Sequence, residues 1–249
     1  MSRVCWLVGC AVWLAIGLAG AVPSAEVRIT DGPQGVKRVT HEGRTFSLTY
    51  EKAMQQFEAA NAAVPKGGIV FTGSSSMVLW KTVPQDMAPL PAVNRAFGGS
   101  TSAQLWWYAD RAILPLRPRM VVIYIGDNDL VQASVSPGNY MKYVRLLRDE
   151  IWAADPHVRM VFISTKPSPA RWQYWDKFQD ANRRLQRMCS RDPRLAYVDI
   201  SSTLLDAQGQ VRPECFLPDK LHLKAEMYAQ WTKLVRPVVE RLWGRITAD

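Results

Sequence analysis

Three adjacent serines, Ser74, Ser75 and Ser76, follow Gly68-Ile69-Val70-Phe71-Thr72-Gly73. A short, continuous apolar run of this kind is the pattern of a strand buried in a parallel sheet. The glycine at its end permits a sharp turn that leaves the serines at the strand's carboxyl end. Ligands of open α/β sheets bind at that end, which makes a serine hydroxyl there a candidate nucleophile. A polar loop whose serines cap the next helix is the alternative. A nucleophilic serine needs a base, and the chain has three histidines, His41, His157 and His222. His41 falls in a polar lead-in. His157 precedes a strand and belongs at the opposite edge of the sheet. His222 closes Asp219-Lys220-Leu221-His222. A turn of this spacing brings the carboxylate onto the ring's Nδ1–H and leaves Nε2 for a serine. A surface loop with a capping aspartate and a solvated histidine accounts for the same spacing.

Acyl transfer also needs donors fixed in advance around the developing oxyanion. Gly98-Gly99-Ser100 and Gly126-Asp127-Asn128-Asp129 each follow a predicted strand. The glycines can expose backbone N–H groups and Asn128 can present its amide. Alone, Gly-Gly is an ordinary turn and Asn-Asp an ordinary helix cap.

The elements that must position these residues alternate. The pattern predicts strands over 69–72, 92–97, 120–125, 158–163 and 195–200. It predicts helices over 50–63, 101–114, 140–154, 172–188 and 225–243, with Pro115 ending the second and Pro237 kinking the last. Residues 26–47 read as an irregular or short-stranded lead-in. Alternation of this kind means βαβ units and a parallel sheet covered by helices on both faces. No internal repeat or domain linker interrupts it.

The chain opens with Met1-Ser2-Arg3 and an uncharged apolar run from Val4 to Val22. Ala19-Gly20-Ala21 has the small-x-small form of a signal-peptidase site. The expectation is a secretory leader, 1–21, with cleavage alternatively after Ala25, and one domain over 26–249. The mature protein is then secreted or periplasmic, with no membrane span. Cys189 and Cys215 remain beyond the leader and can pair in an oxidising compartment. No Cys-x-x-Cys pair or histidine cluster suits a metal. The 249 residues carry a formal charge of +9, densest at Arg183, Arg184, Arg187, Arg191 and Arg194. A solvated helix face explains that cluster, attraction to an acidic polysaccharide or anionic membrane surface is the alternative, and no nucleic-acid motif is present.

Taken together, the pieces resemble the SGNH, or GDSL-type, hydrolase family. Thr72-Gly73-Ser74-Ser75-Ser76 resembles its Gly-Asp-Ser-Leu block, and Asn94-Arg95-Ala96-Phe97-Gly98-Gly99 its glycine block. Gly126-Asp127-Asn128-Asp129 matches Gly-x-Asn-Asp, and Asp219-Lys220-Leu221-His222 matches the closing Asp-x-x-His. The resemblance implies Ser75 as nucleophile and His222 as base, oriented by Asp219. It implies an oxyanion hole from the Ser75 and Gly99 N–H groups and the Asn128 amide, without metal or cofactor. It also implies a flavodoxin-like three-layer α/β/α sandwich around a central parallel sheet. One departure stands out: Ser74 occupies the position of the block's aspartate. Met77 stands where Gly-x-Ser-x-Gly would have its last glycine, which disfavours the nucleophile elbow of α/β-hydrolases. The expected activity is hydrolysis of acyl esters on carbohydrate or lipid, with short acyl groups on carbohydrate favoured. An acyltransferase, or a non-catalytic cell-envelope binding protein of the same fold, is the alternative. Trp80, Trp106, Trp107, Trp172 and Trp175 fall near strand ends or on the following helices, as sugar platforms, acyl-pocket walls or core.

Overall fold

A computed structural model describes residues 26–248, so the expected leader lies outside the described residues. The chain falls into two compact units, one ending at Glu51 and one beginning at Lys52. The first contains an antiparallel meander of β1 (Val27–Asp31), β2 (Lys37–His41) and β3 (Arg44–Ser47). The predicted lead-in is thus short-stranded. Its second hairpin closes on Glu42 and Gly43, both at positive φ, as a two-residue turn between right-twisted strands requires.

The second unit follows α1 (Glu51–Ala60) with β4 (Ile69–Gly73), α2 (Ser75–Val78), α3 (Val83–Met87) and β5 (Ala92–Asn94). Next come α4 (Ser102–Trp107), α5 (Ala109–Ala112), β6 (Met120–Tyr124), α6 (Asp127–Leu130) and α7 (Pro137–Ala154). β7 (Arg159–Ile163), α8 (Trp175–Cys189), β8 (Leu195–Val198) and α9 (Met227–Ala248) complete it. The five later strands form one parallel sheet in the order β5-β4-β6-β7-β8. Counted within the sheet this is 2-1-3-4-5, the flavodoxin-like order, whose switch point lies between its first and third strands, here β4 and β6.

Every residue of β4 and β6 is buried, which is why these strands read as unbroken apolar runs rather than alternating ones. Successive side chains point to opposite faces. Phe71, Val122, Tyr124 and Ile163 share one core cluster with Met77, Trp80, Trp231 and Val235, so α2, α3 and α9 cover that face. Each large apolar side chain buried in this way contributes about 1.5–3 kcal/mol. Across the sheet, α4 contacts α7 and α7 contacts α8. α8 buries Trp175, Phe178, Ala181, Asn182, Leu185 and Cys189, a stripe of helical period. Its arginines at 183, 184 and 187 are exposed. α9 continues through Pro237.

The structure departs from the sequence reading at two helices. The helix expected over 101–114 breaks at Tyr108 into α4 and α5. The helix expected from Trp172 starts at Trp175, after a 3-10 turn over Pro169–Tyr174. Among the described residues no helix is long and apolar enough to cross a membrane. Cys189 and Cys215 are both buried and both free, and burial pushes the Cys189 thiol up to about 12. The described chain should therefore show no two-hydrogen deficit by mass spectrometry without reductant. Both thiols should resist alkylation until denaturant is added; a deficit of two hydrogens would refute the unpaired arrangement.

Candidate active site

The switch point is built first by a backbone constraint. Gly73 has φ of +136°, and a Cβ placed on it would lie 1.8 Å from the Tyr124 carbonyl oxygen. Only glycine fits, because the Tyr124 carbonyl of β6 occupies the place a side chain would take and the backbone has positive φ. Ser74 N then donates to the Tyr124 carbonyl at 3.1 Å, and α2 starts at Ser75. The first N–H groups of a helix have no intrahelical acceptor, so the Ser75 N–H is available to a ligand.

Of the three serines, Ser74 and Ser76 are fully buried, and Ser75 alone is partly exposed. Ser74 Oγ donates to Asp127 Oδ1 at 3.3 Å, so it is already committed to a carboxylate. Ser75 Oγ lies 2.9 Å from His222 Nε2. His222 Nδ1 lies 2.6 Å from Asp219 Oδ2. With the proton on Nδ1, donated to the carboxylate, Nε2 is the free lone pair facing the serine. His157 is exposed and precedes β7, at the far edge; His41 is buried in β2.

The loop that carries the histidine is held by its own aspartate. Asp219 Oδ1 accepts the N–H groups of Leu221 and His222, each at 2.9 Å, and Lys220 takes positive φ, 59°. Flanking pairing of Phe216 with Leu223 closes the loop. The His222 side-chain bond, then the backbone N–H groups, hold the Asp219 carboxyl down at about 2. A carboxyl lowered from its ordinary value near ~3.9 adds stability that is complete above about pH 4 and lost as pH falls through about 2. Urea unfolding of wild type and Asp219→Asn should therefore differ by a constant amount near pH ~5, and the gap should close below pH ~4. A gap unchanged down to pH ~2 would remove Asp219 from acid stability.

The donors gather opposite the serine. Gly98 abuts Ser75: a Cβ built on Gly98 would sit 3.7 Å from Ser75 Cβ. Asn128, in α6, donates from Nδ2 to the Ser100 carbonyl at 3.1 Å. Buried Asp129 accepts from the Ser102 N–H through both oxygens, at 3.0 and 2.9 Å, and so ties the glycine loop's helix to α6. The Ser75, Gly99 and Asn128 segments thus meet at one edge, beside the His222 loop. The other residues there were not legible beforehand. Asp127, Lys166 and Arg171 form a charge cluster behind the serines. Burial pulls the Lys166 ammonium down to about 8 against the attraction of Asp127. Of the five tryptophans singled out from the sequence, Trp80, Trp106 and Trp175 are core. Trp172 is half-buried and stacks on Trp175, with centroids 6.2 Å apart. Among the described residues no group of three or more His, Cys, Asp and Glu side chains is placed to hold a metal ion.

Such an arrangement has the parts for acyl transfer: a hydroxyl, an imidazole oriented by a carboxylate, and neutral donors nearby. Comparison with known proteins points the same way. The model of the GDSL-like Lipase/Acylhydrolase family matches residues 67–230. The chain is 23% identical over 222 residues to platelet-activating factor acetylhydrolase IB subunit alpha1 of Bos taurus, covering 84% of this chain and 88% of that protein. It is likewise 23% identical over 231 residues to the Homo sapiens protein of the same name, covering 88% and 93%. Among solved structures it resembles a GDSL-like lipase from Bacteroides thetaiotaomicron, with a TM-score of 0.66, 19% identity, and 77% and 99% of the two chains covered. A lipase/acylhydrolase from Enterococcus faecalis gives 0.58 at 16% identity, covering 70% and 95%.

Proposed function

Since the chain belongs to the GDSL-like lipase/acylhydrolase family, we propose that it is a serine esterase that works through an acyl-enzyme. The observation that carries this reading is the unbroken chain of contacts Ser75–His222–Asp219, at 2.9 and 2.6 Å, between residues 147 positions apart in sequence. Ser75 Oγ attacks the ester carbonyl while His222 Nε2 takes its proton. The carbonyl oxygen becomes an oxyanion, met by the Ser75 and Gly99 N–H groups and by the Asn128 amide. Collapse expels the alcohol, which receives the proton from His222. Water then repeats the sequence on the acyl-serine and releases the acid.

The acyl group is small in this reading, on a carbohydrate or lipid alcohol. The relatives at 23% identity bear an acetylhydrolase name, and half-buried Trp172, next in sequence to the Arg171 that bonds Asn128, offers a face for a sugar ring or a short apolar group. The sequence's leader-like start supports action outside the cytoplasm.

A fluorophosphonate probe separates this enzyme from a binding protein that kept the fold. Intact protein should gain one label, on the peptide containing Ser75, and lose it on prior denaturation. No labelling, or labelling elsewhere, would overturn the reading. Product analysis with a sugar acceptor present separates hydrolysis from acyl transfer, because transfer yields an acylated sugar in place of free acid.

A further inference from the structure

Behind the serines lies a buried cluster that the proposed mechanism does not use. Asp127, whose side chain is 3% exposed, accepts from Ser74 Oγ on Oδ1 and from the Tyr124 hydroxyl on Oδ2, both at 3.3 Å. Arg171 Nη1 lies 3.4 Å, and Lys166 Nζ 3.8 Å, from Oδ2. Arg171 comes from the β7–α8 connection and Asp127 from the residue before Asn128. The guanidinium's second arm, Nη2, donates to Asn128 Oδ1 at 2.9 Å. A carboxamide is nearly symmetric in shape, and its two ends exchange by a flip. A guanidinium has only donors, so it accepts the oxygen end alone as its neighbour. The amide's NH₂ is thereby turned to Ser100 and the glycine loop, where an oxyanion donor must point.

The same cluster accounts for the departure at Ser74. Ser74 and Asp127 side chains are hydrogen-bonded, so carboxylates at both positions would face each other at close range and repel. The block that places aspartate before its serine has that carboxylate on the first strand's end; this chain has it on the third strand's end.

We propose that Asp127 and Arg171 are positioning residues, an ion pair with a buried carboxylate and a partly exposed guanidinium that fixes the Asn128 amide for the oxyanion, with Asp127 carrying the carboxylate that the Gly-Asp-Ser-Leu block places at the position of Ser74. This rests on the esterase reading for its kinetic consequence, not for its geometry. Removing Arg171 lets the amide turn without touching the substrate, so kcat falls while KM holds.

The test uses the full purified chain, p-nitrophenyl acetate, circular dichroism, and the assigned side-chain ¹H–¹⁵N resonances of Asn128. Arg171→Met should lower kcat by up to about 10²-fold, the cost of a misplaced group, with KM within about twofold. Arg171→Lys, which keeps one donor, should recover part of the loss. Added to Asn128→Ala, Arg171→Met should cost nothing more, because the two act as one unit. A folded Arg171→Met enzyme with unchanged kcat, or a loss that multiplies with that of Asn128→Ala, overturns the clamp. Should Arg171→Met fail to fold, the exchange decides: Ser74→Asp with Asp127→Ser should recover most of what Asp127→Ser loses, and no recovery overturns the assignment. If the wild type hydrolyses no ester, the esterase reading fails instead, and the resonances still judge the clamp. A moved Asn128 amide pair in Arg171→Met or Arg171→Lys supports it, and an unmoved one refutes it.

Discussion

Ser75→Ala and His222→Ala should each abolish ester hydrolysis, with losses on the order of 10⁶-fold in kcat, the scale known for a serine and base acting as one unit. The 2.9 Å contact between Ser75 Oγ and His222 Nε2 is the reason: without the base the hydroxyl keeps its proton, and without the hydroxyl the base has nothing to activate. The double variant should be little worse than either single one. Both substitutions leave the core untouched, because Ser75 and His222 are partly exposed, so circular dichroism should be unchanged. His157→Ala is the control. It removes an exposed imidazole at the other edge of the sheet and should leave turnover intact. Near-normal hydrolysis by a folded Ser75→Ala protein would sink the assignment.

Asn128→Ala should lower kcat by about 10²–10³-fold, as the loss of one fixed oxyanion donor does elsewhere, with KM little changed. The separation of kcat from KM matters here. The amide's work comes when the carbonyl oxygen becomes charged, so the loss belongs to the transition state rather than to substrate binding. In the free protein Nδ2 rests on the Ser100 carbonyl at 3.1 Å, and the neighbouring Asp129 is buried and holds Ser102. Asn128→Asp is a sharper variant: it replaces the donor by a negative charge where negative charge must develop, and should be at least as damaging. A folded Asn128→Ala enzyme with wild-type kcat would exclude the amide from catalysis.

Two kinds of information separate cleanly in this molecule. The apolar run of β6 and the glycine-serine stop after β4 were legible because a strand buried on both faces leaves a continuous local signature. The Asp219–His222 pair was legible too. It is closed by bonds within four residues, so its spacing carries its geometry. Four motif blocks in order supplied the family, and with it a fold that periodicity alone does not give. By contrast, α2, α3 and α6 span only 4 or 5 residues, too few turns to show a 3.6-residue period. They exist because Met77, Val83, Met87 and Leu130 are buried against the rest of the fold.

What only the tertiary structure decided is which groups meet. In the sequence only the block alignment distinguishes Ser75 from its neighbours. The turn forced by Gly73 against the Tyr124 carbonyl buries Ser74 and Ser76 and leaves Ser75 toward His222. Arg171 lies in no motif, and Asp127 holds the variable position of Gly-x-Asn-Asp. Their pairing arises because parallel strand order 2-1-3-4-5 sets the ends of β4, β6 and β7 side by side. A charge in a loop has no sequence mark of burial; its surroundings are supplied by segments dozens of residues away. The chemistry of the site was written in residue types, while the dielectric and the neighbours that give those residues their roles came from long-range packing.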